Sequence, residues 1–241
     1  MTRLALFLLA ASCSGPPPYA PHDTGPPPSG EVGLSGGRVD RLFFAVTGDT
    51  RPAGCDEGDR YPRATFAQIA SSMRALGVQF ALDLGDHMFV CSGSHAEARR
   101  QMGHYLAAIA QGPATFFMTM GNHECGSAFT GHACAPGDGD ANFAAYLEAL
   151  GRPRPWYAAS IETSHGLARL VVIADDAWGH EQAAWLEETL ADADAHARYL
   201  LVARHHPLSG ARSGEPAIVA AIARHRPTLV FSAHAHSYAR D

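Results

Sequence analysis

From residue 41 onward the chain repeats one pattern: an apolar run of strand length, a polar loop that halts it, then a stripe of apolar residues at helical spacing. Arg41 to Thr47 is nearly all apolar and stops at Gly48-Asp49. A continuous apolar run bounded by turn residues predicts a strand covered on both faces. Phe66, Ile69, Ala70, Met73 and Leu76 then recur with helical period up to Gly77. Val78 to Leu84 repeats the strand pattern and stops at Gly85-Asp86. Ser94 to Gln111 reads as a helix with Ala98, Met102, Tyr105, Leu106 and Ile109 on one face. Ala114 to Met120 is a third strand, stopping at Gly121-Asn122-His123-Glu124. This rhythm predicts a largely parallel sheet with covering helices and all polar loops at the same strand ends. Ligand sites of open α/β sheets lie there.

The second half continues with a helix over about Asp140 to Leu150 and strands at Trp156 to Ile161 and Leu167 to Ala174. A helix over Gln182 to Asp192 precedes a strand at Tyr199 to Ala203, which runs into Arg204-His205-His206-Pro207. A helix over Glu215 to Arg224 leads to a last strand, Thr228 to Ala233, which runs into His234-Ala235-His236. Asp175-Asp176 ends a strand and could approach the strand-end loops, but capping of the next helix is the favoured role.

The N-terminal region breaks the pattern. Arg3 followed by the apolar run Leu4 to Ala11 is too short to span a bilayer and reads as an export signal over residues 1–12. Ala10-Ala11-Ser12-Cys13 resembles a lipoprotein signal in which Cys13 becomes the lipid-bearing N-terminus; ordinary cleavage is the alternative. Residues 13–40 are dominated by Pro, Gly and Ser, too poor in apolar groups to offset ordering, and read as a spacer. The folded domain is expected over 41–241, in the periplasm or cell envelope, touching the membrane only through a lipid on Cys13.

Export changes the reading of the cysteines. Cys55, Cys91, Cys125 and Cys134 are even in number, which in an oxidising compartment suggests disulfides. Of three pairings, Cys55–Cys91 joins loops after neighbouring strands and Cys125–Cys134 closes a short local loop; these are favoured over a thiolate metal site. A formal charge of −6 argues against a nucleic-acid polymer as partner. A small phosphorylated substrate remains compatible, because bound cations reverse the local sign.

The chemistry lies in the polar clusters. Gly48-Asp49, Gly85-Asp86, Gly121-Asn122-His123-Glu124, His205-His206-Pro207 and His234-Ala235-His236 each end an apolar strand. Singly they are weak signals; together they assemble carboxylates, imidazoles and an amide oxygen, donors that suit divalent and trivalent cations. Two such cations about 3.5–4 Å apart can hold the attacking and leaving oxygens of a phosphoryl transfer.

In this order the clusters resemble the calcineurin-like metallophosphoesterase superfamily, most closely its purple acid phosphatase branch, over about residues 41–241. Tyr238 and Arg240 extend the likeness. The resemblance implies an α/β fold, a four-layer αββα sandwich of two mixed β-sheets flanked by helices. It implies hydrolysis of phosphate monoesters or diesters with two metal ions (Fe, Zn or Mn). Asp49 and His236 would bind the first ion, Asp86 would bridge, and Asn122, His205 and His234 would bind the second. His123 would donate a proton or stabilise the transition state, with Glu124 holding its tautomer, while His206 and Asn122 would also face the substrate.

Departures from the family pattern matter. Where the superfamily has a His two residues after the first Asp, this chain has Arg51; where the purple branch has a Tyr three residues after the second Asp, it has Phe89. Neither side chain ligates a metal. Arg51 could bind a substrate phosphate through its planar fork, pair with Glu124 or be a solvated loop charge. His87 is a possible replacement ligand. Ala233 stands where a Gly is usual. The chain ends five residues after His236, where family members add strands, so an open sheet edge is expected. A degenerate metal-binding surface protein without turnover is the alternative function.

Overall fold

A computed structural model describes residues 28–126, 133–135, 137, 139–209 and 215–237. The expected signal segment, Cys13, the first part of the spacer, Tyr238 and Arg240 lie outside the described residues. Among the described residues nine strands form two sheets. The larger contains β1 (Gly30–Gly33), β2 (Gly36–Val39), β6 (Tyr157–Thr163), β7 (Gly166–Val172), β8 (Tyr199–Ala203) and β9 (Leu229–Phe231), in that order. It is mixed: β1–β2 and β6–β7 pair antiparallel, whereas β2–β6, β7–β8 and β8–β9 are parallel. The smaller sheet is parallel, with β3 (Phe44–Thr47), β4 (Phe80–Asp83) and β5 (Phe116–Met118) side by side. The helices are α1 (Arg63–Ala75), α2 (His95–Ile109), α3 (Ala141–Leu150), α4 (His180–His196) and α5 (Pro216–His225).

Strand periodicity explains the four layers. Along β7 and the residue that follows it, Leu170 and Val172 join the main core, whereas Val171 and Ile173 belong to a second cluster with Leu186 and Leu190 of α4 and Ile218 and Ile222 of α5. On β8, Leu201 and Ala203 face the main core, and Leu200 and Val202 the second cluster. Alternate residues thus bury opposite faces of one sheet. The main core also takes in β4, β5 and the buried faces of α1, α2 and α3, so the two sheets sit between helices. The hydroxyls of Tyr157 and Tyr146 both donate to the carbonyl of Met118, at 2.9 and 3.1 Å, joining the larger sheet and α3 to the end of β5.

Three expectations need correction. The spacer was read through residue 40, yet β1 and β2 begin the domain at Gly30. The glycines that suggested a linker are there because backbones approach closely. At Gly36, φ is +121° and a Cβ would sit 1.9 Å from the carbonyl oxygen of Ser160. Two-face burial holds for β4, which is buried throughout, but not for β3, an edge strand whose Val46 is 41% exposed. On α1, Phe66, Ala70 and Met73 are buried while Ile69 and Leu76 face outward, so the apolar stripe is narrower than the sequence suggested. Both favoured disulfides are present, Cys55–Cys91 and Cys125–Cys134.

Candidate metal centre

The polar clusters meet where strands of both sheets end. Phe44 of β3 lies edge-on to Phe231 of β9, with ring centroids 5.7 Å apart, so edge strands of the two sheets pack against each other. Backbone bonds then stitch the loops: Asp49 N–H to Gly85 O (2.9 Å), Arg51 N–H to Asp86 O (3.0 Å) and Ala233 N–H to His205 O (2.9 Å). Asp49, Asp86, His234 and His236 all have positive φ, between 49° and 63°. A left-handed residue at a strand end turns the chain sharply and costs about 1–2 kcal/mol for a non-glycine. That these residues share it marks the loops as built for a site rather than for stability. Gly121 is required by closeness, since a Cβ there would lie 2.3 Å from Asp86 Oδ1. The positive φ falls on His234, so Ala233 in place of the usual Gly is accommodated.

Four donors converge. His205 Nε2 lies 3.1 Å from Asn122 Oδ1, 3.1 Å from His234 Nδ1 and 3.3 Å from Asp86 Oδ1, and His234 Nδ1 is 2.9 Å from Asn122 Oδ1. His205 Nδ1 donates to the Leu84 carbonyl at 2.7 Å, because a carbonyl can only accept. This bond orients the ring and directs Nε2 at the cluster, as supporting contacts of metal-bound imidazoles do. An amide oxygen, a carboxylate oxygen and ring nitrogens pressed together at about 3 Å are a donor set for a cation, so the residues fit a metal ion. Asp49, Asp86 and His205 each bring one ligand atom within 4.8 Å of the others. Cys125, Cys134 and Asp140 are equally close, but their sulfurs form the disulfide.

The second group is looser. His236 Nε2 lies 3.3 Å from Asp49 Oδ1, and Asp49 Oδ2 accepts from His234 N–H at 3.2 Å. Arg51 Nε is 3.3 Å from Asp86 Oδ2, and its guanidinium lies 4.6 Å over the Phe89 ring. His123 Nε2 is 3.6 Å from the same Asp86 oxygen, with its ring edge-on to Phe89. Burial, then the charge of Arg51, lowers the His123 pKa to about 4. Burial also raises the Asp86 carboxyl to about 6, against the pull of His205.

Two residues act differently from expectation. Glu124 was expected to hold the His123 tautomer; its oxygens instead accept from the backbone N–H groups of Asp86, His87, Met88 and Gly121, at 2.7–3.2 Å. It fixes the two loops that carry Asp86 and Asn122. His87, considered as a replacement ligand, is buried beneath the site with Nε2 3.1 Å from Asp83 and Nδ1 3.5 Å from Glu124. Burial opposes its charge, but the two carboxylates outweigh that and push its pKa up to about 10.

Two supports come from residues for which the sequence favoured helix capping over an approach to the site. Asp176 Oδ2 lies 2.9 Å from His206 Nε2, holding that ring 4.4 Å from His234, and Asp175 forms a buried bidentate pair with Arg204. Neither aspartate caps α4, whose N-cap is Gly179. Their place at the same end of the larger sheet as His205 was the signal available.

A two-sheet α/β sandwich with a carboxylate, amide and imidazole cluster at its strand ends defines a metal-dependent hydrolase class. The Calcineurin-like phosphoesterase family model matches residues 43–238, and the chain belongs to that family. Among solved structures, GAP50, the anchor in the inner membrane complex of Plasmodium, is similar at 16% identity and a TM-score of 0.54, covering 79% of this chain. This chain spans 65% of that one, and the likeness concerns the fold. A dimetal phosphatase from Danio rerio matches at 14% identity and a TM-score of 0.48, over 78% of each chain. No curated protein gave a significant match.

Proposed function

We propose that the chain hydrolyses phosphate monoesters or diesters of small molecules, and within its family stands nearest the purple acid phosphatase branch. The convergence of Asp86, Asn122, His205 and His234 on one point carries this reading. These four residues would hold a cation of the Fe, Zn or Mn type, and Asp49 and His236 border it on the side of Arg51. A cation there supplies Lewis-acid polarisation of the phosphoryl group and an activated water.

The chain's own residues do the rest. His123, beside Asp86 Oδ2 and held neutral at neutral pH, offers a ring N–H to the leaving or non-bridging oxygen. His206, oriented by Asp176, faces the substrate beside His234. Arg51 offers a planar, permanently charged fork to phosphate oxygens. Phe89 in place of Tyr leaves no tyrosinate, so no purple colour is expected. The two disulfides favour an oxidising compartment, consistent with export and a lipid anchor at Cys13. Among the described residues no helix is long and apolar enough to cross a membrane.

The test is hydrolysis of a nitrophenyl monoester and a bis-nitrophenyl diester with added Mn, Zn or Fe. Turnover is expected to require metal, to vanish with chelator and to be abolished, together with metal binding, by Asp86→Ala. Undiminished turnover in that variant would sink the site. Absence of turnover with every ion would favour the second reading, a metal-binding surface protein, to which Arg51 and Phe89 in ligand positions lend support.

A further inference from the structure

We infer that the centre holds one metal ion rather than two, and that the Arg51 guanidinium takes the place of the second cation. The inference rests on the metal-dependent reading above and concerns how many ions that site carries.

The two oxygens of Asp86 have separate partners. Oδ1 faces His205 Nε2 at 3.3 Å and belongs to the four-donor cluster. Oδ2, the oxygen a second cation would need, faces Arg51 Nε at 3.3 Å. Main chain and side chain are both held: the Arg51 backbone N–H donates to Asp86 O at 3.0 Å, while in the guanidinium Nη1 donates to Pro52 O at 3.2 Å and the carbon of the fork lies over Phe89. The side chain is largely buried, at 16% exposure, so its position is defined by packing. Arginine stays protonated at any working pH, so this charge is permanent.

A metal beside Asp86 Oδ2 would meet both a charge conflict and a shortage of donors. Like charges a few ångströms apart repel strongly in a partly buried site, where water screens them poorly. Among the described residues, Asp49 and His236 are the donors left on that side, and His236 is 54% exposed. Asp49 also lies within reach of the first cluster, since its ligand atom falls within 4.8 Å of those of Asp86 and His205. The residues where two-metal relatives would place a further ligand have become a cation and the aromatic face that carries it. Arg51 thereby balances the charge of Asp86 and keeps its outer N–H groups for a phosphate oxygen.

The test is a count of bound Mn in the full chain, by elemental analysis and by electron paramagnetic resonance, which separates an isolated ion from a coupled pair. The unaltered chain is expected to bind one Mn with the signal of an isolated ion. Arg51→His, which removes the permanent charge and adds a ligand, is expected to bind two and show a coupled signal. Asp49→Asn is expected to leave the count at one. A coupled pair in the unaltered chain would overturn the inference and leave metal-dependent hydrolysis standing. No bound Mn, and none of Zn or Fe when these are supplied instead, would overturn both. An Arg51→His chain that folds and still holds one ion would also overturn it, because the guanidinium would not be what excludes the second. Should that variant fail to fold, the count on the unaltered chain decides alone.

Discussion

His87 shows how a residue can serve the site without touching it. Its imidazolium lies between Asp83 and Glu124, and Glu124 spends its oxygens on the loops that carry Asp86 and Asn122. Removing the imidazole would leave two buried carboxylates facing each other. Breaking a buried pair in this way costs about 3–5 kcal/mol. His87→Leu should therefore lower the denaturation midpoint strongly. The pH dependence has a definite sign. The folded pKa, near 10, lies above the unfolded value of about 6.5. The stabilisation is present in full below about pH 6.5 and is lost as pH rises through about 10, because only the folded state retains the proton in between. Denaturation measured across that window should show falling stability in the unaltered chain and a shallower fall in His87→Leu. An equal slope in both would remove His87 from this role.

At the scale of elements, α3 reaches the site through Asn142, whose Nδ2 donates to the carbonyls of His123 and Val90, at 3.1 and 3.0 Å. The helix is started by Asp140, whose carboxylate accepts from the backbone N–H groups of Asn142 and Phe143, both at 3.0 Å. Replacing such a cap by Ala costs about 1 kcal/mol, and Ser restores much of it. Asp140→Ala should thus lower stability by that amount and Asp140→Ser by less; equal loss in both would mean the carboxylate acts otherwise than as a cap. Helix starts of this kind, and strands ending at polar loops, were legible because period and capping chemistry are local. β8 appears over the residues read for it, Tyr199–Ala203. The roles of Glu124, His87 and Asp176 were not legible, because each depends on which loop of the other elements packs against it. The ligand order could be read, but the division of Asp86 between His205 and Arg51 needed three dimensions.

On the scale of the whole molecule, the boundary between spacer and domain has a physical consequence. β1 and β2 extend the larger sheet beyond β6, with Gly36, Gly37 and Arg38 in register with Ser160, Ile161 and Glu162. They also cross to the smaller sheet's side, where Val32 O accepts from Thr115 Oγ1 at 2.5 Å and Ser29 O accepts from Gln79 Nε2 at 2.8 Å. Val32 and Val39 are both buried. A chain beginning at Arg41, where composition alone would start the domain, lacks this hairpin. It loses the burial of two valines, about 1.5–3 kcal/mol each, and leaves β6 as an open edge able to pair with another chain. Such a chain should denature at lower denaturant concentration and aggregate at concentrations where a chain beginning at Pro28 stays monodisperse. Because the hairpin is remote from Asp86, the metal affinity of whatever fraction remains folded should be unchanged. Equal midpoints for the two chains would make β1 and β2 an ornament on the sheet. A lower midpoint with intact metal affinity would make them part of the folding unit, separating what holds the sandwich together from what its strand ends do.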